Sequence, residues 1–163
     1  METNVTLWSF SNLKFQLLHE DLLGTCFYAA FLFGDPHIVT LDGKAYTFNG
    51  AGEYVIIDAL NKAFLVQARS EPAERVDGGQ PVGTVFTAIA AKANHSVPIE
   101  VQKSSLRGIN ILVNGERLPL TEPREWQFAG VVVSYEGNNS VFIRFGSGAV
   151  SYTHLTLPTI YSV

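Results

Sequence analysis

An all-β fold, built as an antiparallel β-sandwich, is what this sequence predicts, and three observations predict it. Short runs rich in Val, Ile, Phe, Tyr and Thr recur along most of the 163 residues. Between them stand turn dipeptides, Asp42-Gly43, Asn49-Gly50, Asn114-Gly115 and Gly137-Asn138, in which a residue tolerant of positive φ lets the chain reverse. No segment is left for the crossover helices that a parallel sheet requires, so neighbouring strands are expected to run antiparallel.

Taken in order, residues 1–32 read as an N-terminal extension. Leu7, Phe10, Leu13, Leu17 and Leu18 fall on a helical period, so a helix is one expectation there and a mispredicted segment the other. Residues 22–33 are mostly apolar but too few to span a bilayer, which takes about 20 residues as a helix. Glu2, Glu20 and Asp21 stand where a secretory signal carries positive charge, so the stretch is a poor signal peptide. In residues 34–36, Gly34-Asp35-Pro36 opens a turn, because proline pushes the residue before it out of the helical region. A meander of three strands is then expected at residues 38–41, 45–48 and 53–58, reversed first at Asp42-Gly43 and again at Asn49-Gly50 and Gly52.

Further along, residues 62–69 alternate as a strand and residues 70–81, with two prolines and Asp77-Gly78-Gly79, read as an exposed loop. Residues 83–93 divide their signals: the alanines suit a helix, but Val85, Phe86, Thr87 and Ile89 favour a strand, which is the expectation taken. Short strands follow at 98–102, 109–113, 116–120, 124–128, 131–135 and 141–145. Residues 151–163 are expected to be a non-native tail, similar to translated linker sequence, with a last edge strand as the alternative.

Composition narrows the function. With 47% hydrophobic and 16% charged residues the chain suits one globular domain. A net charge of −4 gives no electrostatic reason to expect nucleic acid or an anionic membrane as a partner. Cys26 is the single cysteine, which excludes an intrachain disulfide and a cysteine zinc site. No Gly-x-Ser-x-Gly, phosphate loop, dinucleotide fingerprint or His-Glu-x-x-His motif appears, so no multiple-turnover enzyme is expected.

The order Gly34-Asp35-Pro36-His37, Thr40-x-Asp42-Gly43, Tyr46-x-Phe48-Asn49-Gly50, Gly52-Glu53-Tyr54 closely resembles the opening of a von Willebrand factor type D domain. It is most similar to the cysteine-poor variety of membrane-tethered mucins and sushi-domain-containing membrane proteins. The resemblance runs over residues 33–150, and the family's later Asn/Asp-rich loop is not among these residues, which implies a domain truncated on its C-terminal side. It implies an extracellular structural or adhesive module of a membrane-tethered, mucin-like glycoprotein. Its partners would be neighbouring domains of the same protein or other extracellular glycoproteins, without a disulfide-linked polymer. A non-cleaving ligand-binding or cell-adhesion sandwich is the alternative.

The resemblance also implies chemistry at one bond. The Asp35 carboxyl would attack its own main-chain carbonyl, Pro36 would leave, and His37 would donate or position a proton. It further implies that Asp42 is a Ca²⁺ ligand, with Asn49 nearby, in a site whose other oxygens come from outside this chain; tight calcium binding here is not expected. Asn94-His95-Ser96 and Asn138-Asn139-Ser140 are acceptor triplets in expected loops, so Asn94 and Asn138 are candidate glycan sites; Asn4-Val5-Thr6 is a third triplet.

Overall fold

The computed structural model describes residues 12–20, 27–33, 37–40, 42–59, 63–73, 79–81, 83–104, 108–146 and 149–156, of which 12–20, 27–33, 59 and 149–156 are described through their backbone. Among these residues there are strands and no helix. In chain order they are β1 (Asn12–Glu20), β2 (Phe27–Phe33), β3 (His37–Val39) and β4 (Ala45–Thr47). Then come β5 (Gly52–Ala59), β6 (Phe64–Pro72), β7 (Thr84–Ala93), β8 (Ile99–Ser104), β9 (Gly108–Val113) and β10 (Glu116–Arg117). The last are β11 (Arg124–Phe128), β12 (Val131–Gly137), β13 (Ser140–Phe145) and β14 (Ala149–Thr156).

Two antiparallel sheets result. The first has the order β11-β12-β13-β14-β1-β2-β3-β4, and the second β10-β9-β8-β7-β6-β5. Period-two alternation makes each a two-faced layer. Phe64, Val66, Ile89, Ile99, Val101 and Ile111 of the second sheet turn inward with Ile38, Val133, Val141, Ile143 and Phe145 of the first to form one core. Val66, Val101, Ile111, Val133 and Val141 keep essentially no exposed surface. Each such burial contributes about 1.5–3 kcal/mol.

Residues 83–93 are a strand, as expected, and the structure shows why the pattern was hard to read. Ala88 pairs with Arg69 and Phe86 with Ser70, so Thr87 is an extra residue at a bulge. The bulge shifts the phase of the strand, moving the inward set from Phe86 to Ile89, Ala91 and Ala93. From Ala88 to Ala91, β7 is paired on both sides, by β6 and β8, and this overrides the helical preference of its alanines.

Several expectations are corrected. The helical period over residues 7–18 is not realised in its described part: Asn12–Glu20 is a strand held between β14 and β2. Lateral pairing satisfies a backbone that a helix would have satisfied internally. Ala149–Thr156 is likewise an interior strand rather than an edge. Residues 70–72, expected in a loop, extend β6, since β7 offers Phe86, Val85 and Thr84 as partners. The strand expected at 116–120 stops at Arg117, as Pro119 has no N–H with which to extend the ladder.

The meander is corrected too. β3 and β4 pair as a hairpin, but β5 lies in the other sheet. The chain therefore leaves one sheet and enters the other between Phe48 and Gly52. At the opposite turn set, Val97 N–H donates to the Ala129 carbonyl at 3.2 Å, tying a loop of the second sheet to the β11–β12 turn.

Candidate functional site

The site is built around the β3–β4 hairpin and its two ends. At its tip, Gly43 N–H donates to the Thr40 carbonyl and Thr40 N–H to the Lys44 carbonyl, both at 2.9 Å. Gly43 has φ +80°, which only glycine adopts without steric cost. Side chains reinforce the turn. The Thr40 hydroxyl donates to Asp42 Oδ1 and accepts from Lys44 N–H at 3.1 Å, while Lys44 Nζ lies 3.0 Å from Asp42 Oδ2. The Thr40 hydroxyl foremost, with Lys44 second, holds the Asp42 carboxyl below its ordinary value.

Among the described residues Asp42 and Asn49, the calcium ligands that the resemblance implies, are not brought together. Both Asp42 oxygens already have partners, one of them a cation. Asn49 is exposed and lies past the far end of β4 from Asp42, so an extended strand separates the two. Among the described residues no group of three His, Cys, Asp or Glu side chains could hold a metal ion, whereas Ca²⁺ takes six to eight oxygens.

Asp35 and Pro36 lie outside the described residues. The residues that bracket them do not: Phe33 and His37 are cross-strand partners of β2 and β3. His37, exposed at the start of β3, also faces Thr47 of β4, and its Nδ1 is 2.9 Å from Thr47 Oγ1. The sequence pointed to His37, but Thr47 carries no signal of its own. Ten residues separate them, and only the hairpin register brings them together.

Beyond β4 the motif residues form a corner. The rings of Phe48 and Tyr54 meet edge to face, with centroids 4.8 Å apart at 84°. Tyr54 donates its hydroxyl to the Ala51 carbonyl at 2.9 Å. A Cβ at Gly50 would come within 2.4 Å of Phe48 Cζ and 2.8 Å of the Tyr54 hydroxyl, so glycine leaves the space into which both rings close. Phe48-Asn49-Gly50 and Gly52-Glu53-Tyr54 therefore shape the passage between sheets.

Asn94 and Asn138 are both exposed in turns. In the first triplet Ser96 is buried, its hydroxyl accepting from Ala93 N–H at 2.9 Å. In the second, Asn138 and Asn139 have φ values of 49° and 60° and form the two-residue turn between β12 and β13, one residue beyond the expected Gly137-Asn138 step.

A family model described as the von Willebrand factor type D domain matches residues 30–155. Human Sushi domain-containing protein 2 is 39% identical over 118 residues, which cover 72% of this chain and 14% of that protein. Protein mesh of Bombyx mori is 38% identical over 131 residues, covering 72% of this chain and 8% of that protein. Human Mucin-4 is 43% identical over 77 residues, covering 45% of this chain and 1% of that protein. The chain thus spans a small part of the curated relatives it matches. With the match covering most of its length, the chain belongs to the von Willebrand factor type D domain family.

Proposed function

We propose that this chain is a structural and adhesive module of an extracellular, membrane-tethered, mucin-like glycoprotein, and that its Asp35-Pro36 bond breaks by the chain's own chemistry. Membership of the type D family and the similarity to Sushi domain-containing protein 2 and Mucin-4 support the first part. The Gly34-Asp35-Pro36-His37 motif supports the second, and the pairing of Phe33 with His37 binds the strands on either side of the bond into one sheet. Neighbouring domains of the longer protein are the partners, and Asn94 and Asn138 carry glycans. Calcium, where the whole domain uses it, takes its oxygens mainly from beyond the described residues.

The chemistry is a single turnover. The Asp35 side-chain carboxyl adds to the Asp35 main-chain carbonyl carbon, the bond to the Pro36 nitrogen breaks, and a five-membered anhydride forms. The proton leaves the carboxyl and ends on the Pro36 nitrogen, with His37 as the relay. Water then opens the anhydride, so one water is consumed per bond. Holding the acid in a near-attack geometry is the main source of rate, worth up to about 7–11 kcal/mol.

The test is to hold the full chain in mild acid, at about pH 6, and to look by mass spectrometry for a new N-terminus at Pro36. Scission that Asp35→Ala abolishes supports the reading. An undivided chain overturns self-cleavage and leaves a non-cleaving extracellular sandwich.

A further inference from the structure

We infer that the groove beside the β12–β13 turn is a carbohydrate seat, filled by the first N-acetylglucosamine of a glycan on Asn138 that stacks on Tyr135; this rests on the reading above that Asn138 is glycosylated. The groove has a volume of about 490 Å³, and its walls come from both sheets, with Ile109 and Arg117 on one side and Tyr135 on the other. Tyr135 precedes Asn138 by three positions and Asn139 follows it directly, and both line the groove. The acceptor is thus bracketed by residues of the wall. Asn138 itself is exposed in its two-residue turn, so a sugar attached there starts at the rim.

The lining suits a pyranose, which has a face of C–H bonds and an edge of hydroxyls. Tyr135, Leu118 and Leu120 are partly buried and packed against the core, so the apolar wall is held in place. The negative face of an aromatic ring attracts C–H groups, which carry partial positive charge. Arg117 and Asn139 stand on the same lining. A guanidinium donates and an amide both donates and accepts, which matches the hydroxyls and the N-acetyl group. An apolar ligand would match only the first set. Asn139 also lies against the opposite wall, because a Cβ at Gly108 would be 3.4 Å from its Oδ1. The contact needs little affinity of its own, since the covalent link keeps the sugar at high effective concentration. Residues 94–96 take no part in this groove, so a glycan on the exposed Asn94 gains no such support.

Asn138 and Asn139 also suit the turn itself, since asparagine tolerates positive φ. The experiment therefore changes the glycan and keeps the turn. The full chain, with Asn4→Asp and Asn94→Asp so that one acceptor triplet remains, is passed through the secretory pathway of mammalian cells, and peptide mass spectrometry reads position 138. The folded product is compared with chain trimmed by an endoglycosidase to a single N-acetylglucosamine. It is also compared with chain stripped by an amidase, which hydrolyses the side-chain amide and leaves an aspartate that tolerates the same φ. Trimming should leave the melting temperature within about 1 °C, and stripping should lower it by about 2–4 °C. In Tyr135→Leu, stripping should change it by less than about 1 °C.

An unmodified Asn138 overturns the glycan reading at this position and the seat with it. A glycan whose removal leaves the melting temperature unchanged, or lowers it equally in Tyr135→Leu, overturns the seat and leaves the glycan standing. A second readout needs no variant at Tyr135. In the single-sugar chain, nuclear Overhauser contacts should join the Tyr135 ring protons to C–H groups of the N-acetylglucosamine, and their absence overturns the seat.

Discussion

Phe64 of β6 and Phe145 of β13 meet edge to face across the two sheets, with ring centroids 5.3 Å apart at 75°. Both are buried, and each belongs to a different layer, so the pair joins the halves of the sandwich. Phe145→Ala is expected to destabilise the chain by about 3–5 kcal/mol. A double-mutant cycle with Phe64→Ala should return about 0.5–1.5 kcal/mol of coupling. Denaturant unfolding of the three variants measures both, and additive losses would deny that the rings act together.

Two glycines rank by what stands opposite them. At Gly130 a Cβ would meet the His95 carbonyl oxygen at 2.6 Å and Ser96 Cα at 3.0 Å, and its φ is +70°. At Gly50 the obstacles are the ring end of Phe48 and the Tyr54 hydroxyl, which can swing away. Gly130→Ala should therefore cost about 3 kcal/mol or more, from left-handed strain and backbone overlap together. Gly50→Ala should cost about 1 kcal/mol and turn the Phe48 and Tyr54 rings apart. Thermal melts of both variants test the order.

The hairpin tip should respond to acid in a defined window. Asp42 has a carboxyl held below 3.8 by Thr40 and Lys44. A group depressed in the folded state stabilises above its unfolded pKa and loses that contribution as pH falls through the folded one. The tip should thus stay closed at the mild acidity of the cleavage test and loosen only below about pH 3.8. Hydrogen exchange at the Thr40 and Gly43 amides, faster in Asp42→Asn, reads this directly.

Scission should divide the chain without dissociating it. The N-terminal product carries β1 and β2, and these lie between β14 and β3 in the interior of one sheet. The products should elute together under native conditions and separate only in denaturant. Spontaneous release of the shorter piece would contradict the sheet order.

Local chemistry was legible wherever a few adjacent residues decide the backbone. Asp42-Gly43 and Asn114-Gly115 reverse the chain where the sequence places them, since positive φ is a property of the residue itself. The strand at β6 was legible from its alternation, and those at β11, β12 and β13 from short β-prone runs between turns, for the same reason. The family resemblance, carried by motifs within residues 34–54, was legible because those motifs build one hairpin and one corner.

Placement between distant segments was not. Nothing within residues 53–58 says that β5 joins the second sheet, or within 12–20 that β1 will lie beside β14. The partner of His37 was hidden for the same reason: Thr47 is an ordinary strand threonine until the register sets it opposite an imidazole. Where this chain turns and which of its faces are apolar can be read along the residues, because both follow from near neighbours. Which strands pair and which side chains meet across them emerges in the folded molecule alone, because hydrogen-bonding edges are alike in every strand and the choice among them is made by the whole core at once.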